Sequence, residues 1–287
     1  MYVSKFILTG FADEIDPNLK TQMDVLDKLD ISHIEIRGVN GKNIVEHSLE
    51  EVKDIKRQLD ERGFKISAVG SPLGKIDIDD DFEPHMELFK HTLEIAKILE
   101  TNYIRLFSFY IPEGENAKDF RDEVLRRLGE FIKEAEGTGI TLLHENEKGI
   151  YGDTPERCLD IIETLDSDIF KAIFDPANFV QIDAETYPLA FDLLKSHILY
   201  MHIKDARYSD HQVVPAGQGD GKIEEILSAL YNRGFEGFLS LEPHLANFVG
   251  LATLEKEDAG ADLPDGGEKE FTVATHALKE IISRIGR

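Results

Sequence analysis

Short apolar runs rich in Ile, Val, Phe and Leu alternate along the chain with longer amphipathic segments. That alternation is the signature of parallel strands buried between helices. Eight runs read as strands: Phe6 to Thr9, His33 to Ile36, Lys65 to Val69, Tyr103 to Phe107, Ile140 to Glu145, Ala172 to Asp175, Ile198 to Ile203 and Phe238 to Glu242. Each is followed by a helical pattern. The second helix carries the clearest signals: Ser48 caps it, Glu51 stands three residues on as capping-box partner, Val52, Ile55 and Leu59 form its apolar stripe, and Gly63 ends it. The fifth opens at Asp153-Thr154-Pro155 and places Leu159, Ile162 and Leu165 on one side. The remaining helices fall near Pro17 to Leu29, Phe82 to Leu99, Lys118 to Glu136, Thr186 to Lys195, Ile223 to Asn232 and Phe271 to Ile285.

Eight β-then-α units in 287 residues, without a linker or a break in composition, predict one α/β domain over residues 1–287, a single (β/α)8 TIM barrel. A doubly wound open sheet fits less well, because the first β-α turn, Thr9-Gly10-Phe11-Ala12, lacks the glycine fingerprint of a dinucleotide site. One long irregular stretch, Leu245 to Glu270, is acidic and Gly-rich and follows strand eight. It reads as a lid or as a solvated insertion, and its run of charge favours the insertion.

Charge narrows the function. The 32 Lys and Arg face 56 Asp and Glu, a formal charge of −24, which opposes a nucleic-acid partner because phosphates need a basic stripe. A lone cysteine, Cys158, excludes an intrachain disulfide framework and reads as helix packing. The start MYVSKFILTG lacks a secretory pattern, and no apolar run approaches the roughly 20 residues of a membrane span, so a cytoplasmic protein without membrane attachment is expected.

In such a barrel the chemistry sits at the C-terminal ends of the strands. Four consecutive strands end in capable residues: His144-Glu145-Asn146-Glu147, Asp175-Pro176-Ala177-Asn178, His202-Ile203-Lys204-Asp205 and Glu242-Pro243-His244. Alternation sorts their faces. Glu145 and Glu147 share the face of Leu143, leaving His144 opposite as a packing or supporting group; His202 shares its face with Tyr200 and Lys204, and Glu242 with Ser240 and His244. Unpaired, Glu145, Asp175, His202 and Glu242 would be costly at a barrel mouth; together they form a mixed N/O site for one divalent cation. The set is dominated by hard oxygens and contains no thiolate, which suits Mn²⁺, Mg²⁺ or Co²⁺ and tolerates Zn²⁺. The competing reading pairs these carboxylates with Arg37 or Arg105, and Glu35 with Arg37 on strand two as a buried ion pair. Lys204, His244 and Asn178 read as substrate-facing polar groups, with Lys204 alternatively holding a carboxylate or serving as a base. The Asp77 to Asp81 run reads as a solvated loop.

These strand endings resemble the sugar-phosphate isomerase/epimerase superfamily of xylose isomerase-like barrels over nearly the whole chain. The matching features are Gly10-Phe11-Ala12-Asp13-Glu14, Glu145-Asn146, Asp175, His202-Ile203-Lys204-Asp205, Gly217-Gln218-Gly219 and Glu242-Pro243-His244. The resemblance implies that Glu145, Asp175, His202 and Glu242 bind the metal. It also implies that Glu145 and Glu242 serve as an acid/base pair on opposite faces of the substrate, as in the ketose 3-epimerase members. Arg207 lies near where those members place an Arg on the substrate. The chain departs from them at Asn178, where they carry His.

The expected activity is therefore a metal-dependent isomerisation or epimerisation of a small ketose or related keto sugar. A proton next to a carbonyl is removed, and a cation bridging the neighbouring oxygens stabilises the enediolate. The alternative is a dehydratase or lyase eliminating from a keto sugar or keto-inositol on the same metal site. An abasic-site endonuclease would need more histidine ligands and a DNA-binding face; a non-catalytic sugar-binding barrel is the remaining option. The absence of a glycine-rich phosphate cradle and the acidic charge favour an unphosphorylated carbohydrate. Oligomeric state is left open, a homo-oligomer included.

Overall fold

The computed structural model describes residues 5–248 and 267–285. Eight parallel strands form the sheet: β1 (Lys5–Gly10), β2 (His33–Ile36), β3 (Lys65–Val69), β4 (Tyr103–Leu106), β5 (Thr141–Glu145), β6 (Phe170–Phe174), β7 (Ile198–Ile203) and β8 (Glu236–Leu241). They are hydrogen-bonded in the order β1-β8-β7-β6-β5-β4-β3-β2. β1 and β2 lie side by side, but no ladder joins them among the described residues, so the (β/α)8 TIM barrel is nearly closed.

The helices are α1 (Leu19–Lys28), α2 (Leu49–Glu61), α3 (Glu83–Ile98), α4 (Arg121–Ala135), α5 (Pro155–Leu165), α6 (Pro176–Val180), α7 (Phe191–Leu194), α8 (Ile223–Asn232) and α9 (Glu268–Arg284). None described is long and apolar enough to cross a membrane. The expected capping box on α2 is present: Glu51 N–H donates to Ser48 Oγ at 3.3 Å and Ser48 N–H to Glu51 Oε2 at 2.8 Å. Val52, Ile55 and Leu59 are buried against the strands, each contributing about 1.5–3 kcal/mol of apolar burial. Thr154 caps α5 and Pro155 fills its first turn, where its missing N–H costs nothing.

Two expectations are corrected. The unit after β6 is broken: a short α6, capped by Asp175, precedes the segment expected as a helix near Thr186 to Lys195, which is helical but opens with a π-helical turn, Thr186–Ala190, kinked at Tyr187 and leading into α7. Tyr187, which precedes Pro188, is extended (φ −141°, ψ 129°), as the steric demand of the proline ring favours. The irregular stretch does not run to Glu270, because α9 begins at Glu268; Glu268 and Glu270 read as loop charges but complement the helix dipole in its first turn. Residues 249–266 of the acidic insertion lie outside the described residues.

Candidate metal centre and active site

Strand alternation aims the chemistry inward. Leu143, Ile173 and Tyr200 pack inside the barrel, one residue pair below Glu145, Asp175 and His202. Tyr200 anchors that floor: its hydroxyl lies 2.9 Å from Ser67 Oγ, which is 2.8 Å from Thr9 Oγ1. His144 faces the other way, buried and stacked on Phe170 with ring centroids 6.0 Å apart. Burial holds its imidazole down at about 4, so it is neutral there.

Asp175 is placed by its backbone. Its N–H donates to Asn146 Oδ1 and Asn146 Nδ2 donates back to its carbonyl, both at 2.9 Å. Its Oδ1 caps α6 by accepting the Asn178 N–H at 3.0 Å. That leaves Oδ2 buried without a hydrogen-bond donor aligned on it, although Lys204 Nζ lies 3.0 Å away. Glu145 Oε2 accepts from Arg105 Nη1 at 3.0 Å, so Oε1 is the oxygen that turns to His202 Nδ1, 3.1 Å away. Glu242 is built alike. Its Oε1 accepts from Arg37 at 3.2 Å, while Oε2 lies 3.2 Å from both Lys204 Nζ and His202 Nδ1. One ligand atom from each of Glu145, Asp175, His202 and Glu242 thus falls within 4.8 Å of every other.

His202 is held on its far side as well. Nε2 donates to Glu35 of β2, whose two oxygens lie 3.3 and 3.2 Å away, and both residues are wholly buried. The expected Glu35–Arg37 pair is not formed. Residues two apart on one face of a strand stand nearly 7 Å apart along it, and partners across the barrel are nearer. Arg37 instead grips Asp13 (2.8 Å), Glu14 (3.2 Å) and Glu242 (3.2 Å) beneath the ring of Phe11.

Six buried carboxylates (Asp13, Glu14, Glu35, Glu145, Asp175, Glu242) therefore face three permanent cations, Arg37, Arg105 and Lys204. That excess of negative charge in a dry site is costly, and a divalent cation fits it. Without the cation, a proton takes its place. Burial lowers the His202 pKa, but Glu145, Glu35 and Glu242 outweigh that and hold it well above its ordinary value. Burial raises Asp175 to about 6 despite Lys204. Burial also raises Glu145, but His202 and then Arg105 prevail and hold it at about 2; Lys204 and His202 likewise depress Glu242 against its burial.

Of the other residues expected at the site, Asn178 is buried behind the ligand set, its Nδ2 donating to Asn146 O at 2.8 Å and to Glu145 Oε1 at 3.4 Å. Lys204 bridges Asp175 and Glu242. His244 stands at the mouth, with Nε2 3.4 Å from Glu242 and 3.5 Å from Glu14. Arg207 is not brought in; it is exposed and paired with Asp210 at 2.7 Å. Sequence reasoning gave no supporting role to Asn146, Asp13 or Glu14. The Gly-x-Gly stretch proves to be scaffolding. The Asp205 carboxylate accepts the N–H groups of Gly217 (2.8 Å), Gly219 (3.1 Å) and Gly221 (2.8 Å), and a Cβ on Gly219 would lie 2.4 Å from Ala206 O.

The sequence profile of the xylose isomerase-like TIM barrel family matches residues 23–263. The chain belongs to that family. Among proteins of known structure, it is similar to the IolI protein with a bound zinc atom: TM-score 0.74, 19% identity, 97% of this chain and 98% of that one covered. It is also similar to a D-tagatose 3-epimerase-like protein (TM-score 0.73, 19% identity, 96% and 97% covered). A third is the probable 3-DHS dehydratase AsbF of Bacillus anthracis (TM-score 0.71, 18% identity, 96% and 98% covered). At these identities the likeness shows the fold alone. An uncharacterized protein of Methanocaldococcus jannaschii is 26% identical over 171 residues, 55% of this chain. The match spans 56% of that relative's length.

Proposed function

We propose that the chain is a divalent-metal-dependent isomerase or epimerase of a small, unphosphorylated ketose or related keto sugar. Glu145, Asp175, His202 and Glu242 hold the ion, and Glu145 and Glu242 carry the proton. The observation that supports this reading most directly is the convergence of those four residues from successive strand ends to within 4.8 Å. Asp175 Oδ2, buried with Lys204 Nζ at 3.0 Å but without an aligned hydrogen-bond donor, is an atom that such an ion would satisfy. When bound, the ion supplies a Lewis acid that polarises the substrate carbonyl and lowers the cost of negative charge on its oxygen.

The chain's own groups do the rest. Glu145 and Glu242 each lie against a permanent cation, Arg105 and Lys204 respectively, which favours the ionised form a base needs. Arg105 and Arg37 each tie down one oxygen of a glutamate, which fixes the direction of the other. One glutamate takes the proton from the carbon beside the carbonyl, and the C–H electrons move into the carbon–carbon bond as charge develops on oxygen. If the second glutamate returns a proton to the opposite face, the centre is inverted; if one glutamate returns it to the adjacent carbon, aldose and ketose interconvert. Lys204 is assigned to a substrate hydroxyl, His244 to an outer contact, and Asn178 to holding Glu145 and Asp175 in register. The test is exchange of a substrate carbon-bound proton in deuterated water, across ketoses, aldoses and keto-inositols with each candidate metal. No exchange with any of them refutes the proposal. A product lighter by one water would replace isomerisation with elimination on the same residues.

A further inference from the structure

A buried carboxylate behind the candidate ligand set is left unused by the chemistry above. Glu35 reaches across the barrel from β2 and lies within 3.3 Å of His202 Nε2 through both of its oxygens, on the ring edge opposite the ligand cluster. Neither residue is exposed to water. Phe11 meets the imidazole edge-on at 5.3 Å and Tyr200 at 6.0 Å, so the ring is walled in and its orientation is decided by its two nitrogens. An ionised carboxylate is an acceptor only, and Nε2 must therefore carry a hydrogen toward it. Once the proton that His202 carries without a cation has left, the neutral imidazole keeps its one N–H on Nε2 and its lone pair on Nδ1, the nitrogen that lies 3.1 and 3.2 Å from Glu145 Oε1 and Glu242 Oε2. Among the described ion pairs Glu35 has His202 alone as partner, and the Tyr200 hydroxyl is a further hydrogen-bonding contact of its carboxylate.

We propose that Glu35 is a positioning residue that fixes the tautomer and ring direction of His202, so that Nδ1 is presented to a divalent cation. This rests on the metal reading of the site. Hydrogen-bond partners of ligating histidines affect metal affinity by about 10–100-fold, and that is the change expected here.

The experiment is titration of the purified, metal-stripped full chain with Co²⁺, read by its visible absorption, alongside thermal unfolding without metal. Glu35→Gln is expected to weaken the Co²⁺ dissociation constant about 10–100-fold and to alter the absorption envelope. Glu35→Asp, one methylene shorter but still an ionised acceptor, is expected to recover part of the affinity. Thr9→Val removes a hydroxyl of the same buried layer, 2.8 Å from Ser67 Oγ, and leaves in place both Glu35 and the Tyr200 hydroxyl that contacts it; it is expected to lower the unfolding temperature while leaving Co²⁺ affinity near wild type. Wild-type binding matched or exceeded by Glu35→Gln would overturn this proposal alone. Equal losses in Glu35→Gln and Thr9→Val would overturn it too, because a general packing defect then accounts for both. Failure of the wild-type chain to bind Co²⁺ would overturn the metal reading and this proposal with it.

Discussion

Lowering the pH should weaken the barrel through one histidine that lies outside the reactive cluster. His85, in the first turn of α3, accepts the backbone N–H of Gly74 on Nε2 at 2.7 Å and packs among Phe82, Phe109 and Phe131. Burial, then the charge of Arg127, holds its imidazole down at about 4 from an ordinary 6.5. The folded chain therefore binds fewer protons here than the unfolded chain between those two values. The stability from neutral His85 is complete above about pH 6.5 and is lost as pH falls toward 4. The drop from 6.5 to about 4 corresponds to about 3 kcal/mol in full, of which about 2 kcal/mol is lost by pH 5. The lost contact matters locally, because Gly74 (φ +84°) lies so close to β4 that a Cβ there would meet Phe107 O at 2.0 Å, and neighbouring Lys75 pairs with Glu147 at 2.9 Å beside the mouth. Urea unfolding at pH 7.5 and pH 5 measures the effect in wild type and in His85→Gln, which keeps an acceptor but does not titrate. The variant loses ring packing at both pH values, so the difference of differences isolates the proton. Equal pH-dependent losses in the two proteins would refute the reasoning.

His202→Ala and Asp175→Ala should each lose bound divalent metal in elemental analysis after reconstitution and gel filtration; normal stoichiometry in both would remove the site. Gly219→Ala should destabilise the chain by about 1–3 kcal/mol, because its Cβ would sit 2.4 Å from both Ala206 O and Asp205 Oδ1. Chemical denaturation checks this, and an unchanged midpoint would show that the turn around Asp205 yields freely.

The fold was legible because each strand is a short apolar run, and burial on both faces leaves little else such a run can form. Strand ends such as His33–Ile36 and Ile198–Ile203 coincide with the apolar boundaries. The broken unit after β6 was less legible: Pro188 interrupts a stripe that otherwise keeps helical spacing. Parity alone placed Glu145, His202 and Glu242 inward and His144 outward, since alternation is a backbone property. The partners were a different matter. Glu35 and His202 are 167 positions apart, as are no two residues a local pattern can relate, and Arg37 spans 205 positions to Glu242. Such pairings depend on barrel closure, which no window of sequence contains. A charged residue inside the four-residue strand His33–Ile36 was the available hint that Glu35 had a buried partner.

Arg37 also has a mechanical role. It stands just past β2 and grips Asp13 and Glu14, which follow β1, across the seam where no ladder joins those two strands among the described residues. A third contact, to Glu242, ties the same guanidinium to the end of β8. The clasp that shuts the barrel is therefore also a wall of the candidate metal site. A substitution that retunes that corner also loosens the hoop, whereas the turn after β7 is held by its own ring of amides on Asp205, so its outer residues carry no such load.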